Sequence, residues 1–342
     1  MNIYDIAREA NVSPATVSRV INNSGKVKPE TRERVLRVID EENFVPNAMA
    51  RNLSIGQSKM IAFIVPDIEN EFFSKILHGL SIEAHAAGYN VVMFGTEENS
   101  ELEHEILEAL KRQIISGIII IPVQDSDAVT EKLISDFKEK DIPIVFVDRG
   151  KPNDYDGVFS ADKEGSYEAV SSLIHEGHRR IGIIRGPISS RPGLQRFLGY
   201  QEALLDNGLS LSDELIADGN FAIEDSYEAM KRLFAQEDPP TAVFTCNNKS
   251  TIGCLKYMKE KGLELCRDLS VVTFDDIEVL TYTDIQLTAV TRSITEIGIQ
   301  AMKILVKRIE DQKNGEAALY RIQHIIKTRV EYRGSEKLLK KG

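Results

Sequence analysis

Residues 3–22 read IYDIAREANVSPATVSRVIN, and this stretch decides how the N-terminal region folds. Ile3, Ile6, Ala7 and Ala10 recur at helical spacing. Asn2 stands where an N-cap is needed, with Asp5 near the positive end of the helix dipole. Asn11-Val12-Ser13-Pro14 then interrupts the pattern. Ser13 is a good N-cap, and Pro14 suits the first helical position, where its missing N–H has no partner to lose. The second helix, PATVSRVIN, carries Val17, Val20 and Ile21 on one stripe and Ala15, Thr16, Ser18, Arg19 and Asn22 on the other face. Two short helices around a tight turn make a helix-turn-helix. Short outward side chains let such a helix approach base edges in a major groove, and Arg19 can pair with a guanine edge through two hydrogen bonds. A third helix over PETRERVLRVIDEEN is predicted to close the small core with Val35, Ile39 and Leu36. On spacing alone, any small three-helix unit fits equally well.

Next comes FVPNAMARNLSIGQSK. Pro46 breaks the third helix, and Asn47 can cap a short one from Ala48 to Leu53, ending before Gly56. Six residues do not hold a helix unaided. Read from the residues, Leu53 either packs on the body of the protein or wedges into a minor-groove base step, where the unstacking is repaid by bending.

The chain has 342 residues, too many for one ordinary core, so two or three domains are expected. Its net charge of −11 argues against nucleic acid as a partner until its distribution is read. Residues 1–60 carry nine Lys/Arg and seven Asp/Glu, while the remainder carries 33 and 46: a slightly basic end on an acidic body. The three cysteines, Cys246, Cys254 and Cys266, form no C-x-x-C pair and read as reduced thiols. No apolar run is long enough to span a membrane, and MNIYDIAREANVS lacks the basic start and apolar core of a signal peptide. Cytoplasm is the expected compartment.

From Met60 onward, short apolar runs alternate with amphipathic stretches. MIAFIVP, YNVVMFG, GIIIIP, IPIVFVD, RIGIIRGP, TAVFTC and LSVVTFDD read as strands of parallel sheets covered on both faces. One set begins at IAFIVPD and a second at IGIIRGP, which predicts two α/β lobes with a cleft between them. In such lobes ligands sit beyond the carboxyl ends of the strands. Asp67, Asp148, Asn247 and Asp275 fall at those ends, Arg191 lies in the loop after IRGP, and Phe72 and Phe73 open the first helix of the lobe. Carboxylates and amides beside an aromatic wall suit a polyhydroxylated ligand. Each Asp or Asn alone reads equally well as a helix cap.

The run IYDIAREANVSPATVSRVINN, followed by VKPETRERV and FVPNAMARNL, resembles the N-terminal signature of the lactose-repressor (LacI/GalR) family, and the resemblance extends along nearly the whole chain. It implies a multidomain build: an all-α helix-turn-helix head and a two-lobed, periplasmic-binding-protein-like α/β sensor with parallel sheets. The expected divisions are 1–46 for the head, 47–59 for the hinge and 60–342 for the sensor. The first lobe would take about 60–159 plus 292–321, and the second about 160–289 plus 322–335. The resemblance implies that Ala15, Thr16, Ser18, Arg19 and Asn22 face the major groove, and that Leu53 of two protomers enters the minor groove at a central CG step. It makes Tyr4, Lys26, Lys28 and Thr31 DNA contacts, with Asn47, Ala50 and Arg51. Pro14 and Ala15 replace a larger polar pair found in some members. Asp148, Asn247 and Asp275 match effector-contacting positions. Three departures stand out: Leu194 where the effector arginine is expected, with Arg191 as its substitute; Ser160-Ala161 for Asp-Asn; and Asn247-Asn248 for Asn-Asp. The effector is expected to be sugar-like, or else a protein co-regulator.

No G-x-x-x-x-G-K-[ST], G-x-G-x-x-G or H-E-x-x-H motif occurs, and His175-Glu176-Gly177-His178 lacks the spacing of a zinc pair. The expectation is therefore no enzyme, no metal and no cofactor. One recognition helix reads too few base pairs alone, so a homodimer on a palindromic duplex is expected. Leu338 and Leu339 supply no repeated heptads for a larger assembly. The rival reading is a two-lobed sugar-binding protein or sugar-metabolising enzyme without a DNA role.

Overall fold

In the computed structural model, the described residues are 2–21, 25–42, 58–152, 154–316 and 320–337. The chain divides into two compact units, Met1–Lys59 with Ile114–Ser116, and the remainder.

In the first unit, α1 (Ile3–Glu9), α2 (Pro14–Ile21) and α3 (Pro29–Glu41) surround a core of Ile6, Ala7, Ala10, Val17, Val20 and Val35. Asn2 forms a reciprocal capping box with Asp5. Ser13 caps α2 through a bond from Thr16 N–H at 3.2 Å. The turn between them passes through Asn11 at φ +50°, a region asparagine tolerates. Leu36 departs from expectation: it is 48% exposed, and Val38 packs against the core instead. Val35, Val38 and Ile39 share the i, i+3, i+4 face, which leaves Leu36 turned about 100° away.

The second unit contains two six-stranded sheets, in orders β11-β5-β4-β3-β1-β2 and β12-β10-β9-β8-β6-β7. The first is built on β1 (Met60–Val65), β2 (Asn90–Gly95), β3 (Gly117–Ile120), β4 (Ile144–Val147) and β5 (Asp156–Ser160). The second uses β6 (Ile181–Arg185), β7 (Ile216–Asp218), β8 (Ala242–Thr245), β9 (Ser270–Phe274) and β10 (Thr288–Thr291). The runs of β1, β3, β4, β5, β6, β8 and β9 are buried on both faces, as crossover helices require, whereas the edge strand β2 has no buried residue. Around the first sheet lie α4 (Glu71–Ala87), α5 (Ser100–Leu110), α6 (Ala128–Lys138) and the late helix α11 (Ile294–Lys313). Around the second lie α7 (Asp162–His175), α8 (Arg191–Asp206), α9 (Ile223–Phe234) and α10 (Asn248–Lys261). Caps set their limits: Asn70 accepts from Phe72 N–H at the start of α4, and Gly88 at φ +73° ends it.

The chain passes between the lobes after β5, after β10 and after β11 (Gln323–Ile326). The expected division gave 322–335 to the second lobe. Instead β11 pairs in parallel with β5 in the first sheet, and only β12 (Arg329–Glu331) returns to pair with β10. With one buried residue in four, β11 carries no readable pattern, yet it covers the open edge of β5.

Candidate functional site

In the head, Ala15 and Arg19 are exposed on α2, and Tyr4, Lys26 and Lys28 are exposed near it. Thr16, Ser18 and Thr31 are half-buried. Thr16 is partly engaged by the cap, its hydroxyl 3.0 Å from that of Ser13. Asn22, Asn47, Ala50, Arg51 and Leu53 lie outside the described residues.

In the second unit, a cavity of about 800 Å³ opens beyond the carboxyl ends of both sheets. Six of the seven residues expected there line it: Asp67, Phe72, Phe73, Asp148, Asn247 and Asp275. The two phenyl rings meet edge to face at 5.1 Å. Asp148 and Asp275 follow β4 and β9 at φ +61° and +68°, a left-handed backbone that aspartate tolerates at a strand end. The Asn247 amide is largely committed, capping α10 through Ser250 N–H at 2.8 Å and donating to Phe221 O at 3.4 Å.

Arg191 is the exception. It opens α8 but does not line the cavity, because it turns toward the passage after β5. There it donates to Asp162 at 3.0 Å and to the Ser160 carbonyl at 3.2 Å. The cleft arginine is Arg196, three residues before Gly199, not the position of Leu194, which is 39% exposed. Arg196 donates to Asp162 Oδ1 at 2.9 Å and to Cys246 O at 2.6 Å, and it stacks 3.7 Å from the Phe274 ring centre.

Arg292, which sequence reasoning missed, completes the floor. It lies 3.3 Å from Asp148, Asp162 and Asp275, with its guanidinium 4.7 Å from the Phe72 ring centre. Burial works against its charge, but Asp275, Asp148 and Asp162 outweigh that and hold it protonated. Burial pushes the Asp148 carboxyl up, and Arg292 pulls against the shift. Arg149, also buried, makes two bonds to Glu98 at 2.7 and 2.6 Å and donates to Val123 O at 3.1 Å.

The mouth is bridged by uncharged and charged contacts. Asn248 donates to Asn70 at 2.9 Å, which gives the Asn247-Asn248 departure a structural use. Lys249 pairs with Asp67, and Lys75 with Glu278 at 3.0 Å. At another point between the lobes, Asp125 N–H donates to Ser189 O at 3.1 Å. Burial raises the Asp125 carboxyl to about 6, against the Gly150 N–H and the Arg149 charge.

Of the missed residues, Arg196 left a trace in its spacing to Gly199 and Arg292 in its place directly after β10. A Cβ on that glycine would meet Lys163 O at 2.3 Å, so α7 and α8 must cross closely there. His175-Glu176-Gly177-His178 forms the end of α7, with Gly177 at φ +103° and His178 buried against Thr241. Among the described residues no group of His, Cys, Asp and Glu could hold a metal, and no helix is long and apolar enough to cross a membrane.

Residues 2–47 match the family model described as bacterial regulatory proteins, lacI family. Residues 58–329 match that of periplasmic binding proteins and the sugar binding domain of the LacI family. The chain is 31% identical over 339 residues to catabolite control protein A of Priestia megaterium, covering 98% of this chain and 99% of the other. It is 33% identical over 320 residues to the HTH-type transcriptional repressor PurR of Haemophilus influenzae (strain PittEE), covering 94% of each. Among solved structures, a transcriptional regulator CelR–cellobiose complex superposes at TM-score 0.73 with 27% identity, covering 98% of this chain and 99% of that one. The lac repressor dimer bound to operator and the anti-inducer ONPF shares the fold at TM-score 0.83 with 24% identity, over 98% and 99% of the two chains.

Proposed function

The chain belongs to the LacI family of bacterial regulatory proteins, and from that membership we propose that it is a repressor binding palindromic DNA as a homodimer and controlled by a small molecule held in the cleft. The observation that carries this reading is the union, in one chain, of a head whose α2 exposes Ala15 and Arg19 and a two-lobed unit with a cavity at its strand ends. Relatives named as repressors, and a neighbour solved with cellobiose, support both halves. The ligand would prefer one relative orientation of the lobes and so shift the population of operator-competent dimers. In this reading the protein works in the cytoplasm and is a sensor, not an enzyme.

A gel-shift titration with a palindrome carrying a central CG tests it. Specific binding should survive competitor DNA and fall with salt at a log–log slope of about −0.9 per phosphate contacted. Leu53→Ala should weaken operator binding far more than non-specific binding. A protein that stays monomeric and ignores base sequence would refute the proposal.

A further inference from the structure

The cavity is electrically one-sided. Eight carboxylates but only four cationic side chains line it. Each cation is already matched: Arg149 by Glu98, Lys249 by Asp67, Arg196 by Asp162, and Arg292 by three aspartates. Arg196 and Arg292 are almost wholly buried with these partners, while the buried Arg149 meets a partly exposed Glu98. Turning Arg196 or Arg292 toward an incoming anion would strand a buried carboxylate, which is heavily disfavoured.

The carboxylates are not all matched. Among the described residues no cation stands within ion-pair distance of Glu69 or Glu97, and Asp225 takes only a hydrogen bond from Asn220 at 2.8 Å. Asp275, 6% exposed, is already paired with Arg292, whose Nε stands 3.3 Å from an Oδ1 that takes no hydrogen bond. Glu97 and Glu98 both sit at positive φ, +53° and +54°, a backbone state that is held in place only by its surroundings and gathers at functional sites.

We propose that the cleft selects its effector by charge, taking a polyhydroxylated amine such as an amino sugar and excluding the phosphate ester of the same skeleton. The inference rests on the reading of this cleft as the sensor. Its hydroxyls would meet the polar floor, its carbon faces Phe72 and Phe221, and its ammonium the unmatched carboxylates at the rim. A cavity of about 800 Å³ has room for one or two sugar rings.

The chain contains no tryptophan, so a single introduced one reports on its own surroundings. Ile68→Trp places it on the exposed rim of the cavity, and Ile325→Trp supplies a reference on β11 beside His324 and Lys327. Quenching by caesium and iodide is compared in the full chain at about 10 mM and about 1 M salt, where screening removes the field. At low salt the caesium-to-iodide ratio should be at least about threefold higher at the rim than at the reference, converging at high salt. Equal ratios, or preference for iodide, overturn the proposal. If Ile68→Trp unfolds the protein, Phe221→Trp reads the same cavity from the other lobe. A second arm measures thermal stabilisation by sugars as parent, amine and phosphate ester. A phosphate ester that stabilises most overturns the charge inference while leaving the sensor reading intact. Caesium preference without stabilisation by any polyol overturns the sensor reading instead.

Discussion

Arg292 and Asp162 lie on different passages between the lobes, and Nη1 of one stands 3.3 Å from Oδ1 of the other. The third passage is tied in as well, through Thr328 Oγ1, which donates to Ala161 O at 3.0 Å. Arg292 also reaches Asp148 in the first lobe and Asp275 in the second. The junction is thus a charge cluster, and any change in lobe angle must rearrange it.

Arg292→Gln would leave three buried carboxylates short of their counter-charge. Breaking such a buried arrangement by removing one partner costs about 3–5 kcal/mol. Urea denaturation of the full chain should show a loss of that size, with Arg292→Lys falling between. A loss under about 1 kcal/mol would mean that the cluster contributes little.

The crossing of α4 and α11 leaves no room for a side chain. A Cβ on Gly79 would meet Thr295 O at 2.1 Å, and one on Gly298 would meet Ile76 O at 2.1 Å. Gly298→Ala should therefore destabilise the first lobe by about 1–3 kcal/mol or more, despite the better helix propensity of alanine. Thermal melting checks this; an unchanged or raised midpoint would contradict the close crossing.

Asp125 predicts a pH effect of definite sign. Its folded carboxyl is raised to about 6 from an ordinary 3.8, so the folded state holds the proton more tightly. The stability linked to that proton is complete below about pH 4 and disappears as the pH rises through about 6. The groups facing it are Gly150 N–H, Arg149, Asp148 and Arg191. Relative to Asp125→Asn, the wild type should lose stability between pH 4 and 6 and remain the weaker of the two at pH 8. Parallel melting curves across that range would rule this out.

On DNA, Arg19→Ala should lose about 1–3 kcal/mol of specific binding if it reads a guanine edge. Competitor-resistant binding would fall while binding to random duplex changes little. Equal loss on both would make Arg19 a phosphate contact instead.

The helix-turn-helix was legible because its signals are local. Asn2 and Ser13 cap the helices they precede, and Val17 and Val20 face the core as their spacing requires. Leu36 was misplaced although Val35, Val38 and Ile39 already filled the core-facing stripe. Strand ends were equally readable, which is how Asp148, Asn247 and Asp275 were found. Arg292 was not, because the short run of β10 (Thr288–Thr291), whose end it follows, was not read as a strand, and it acquires its partners only when three distant passages converge. Arg196 was passed over because Leu194 was taken as the place of the expected arginine and Arg191 as its substitute. The short strand β11 buries one side chain in four, too little for any periodicity to register.

The return of the chain through β11 and then β12 makes its last part a seam shared by both halves of the body. Ending translation at residue 322 would not sacrifice one half and spare the other. It would bare the flank of β5 and the flank of β10 together, each a row of unpaired amides and carbonyls open to strands of other molecules. Such a truncated product is expected to sediment as aggregate, not to persist as a shortened sensor.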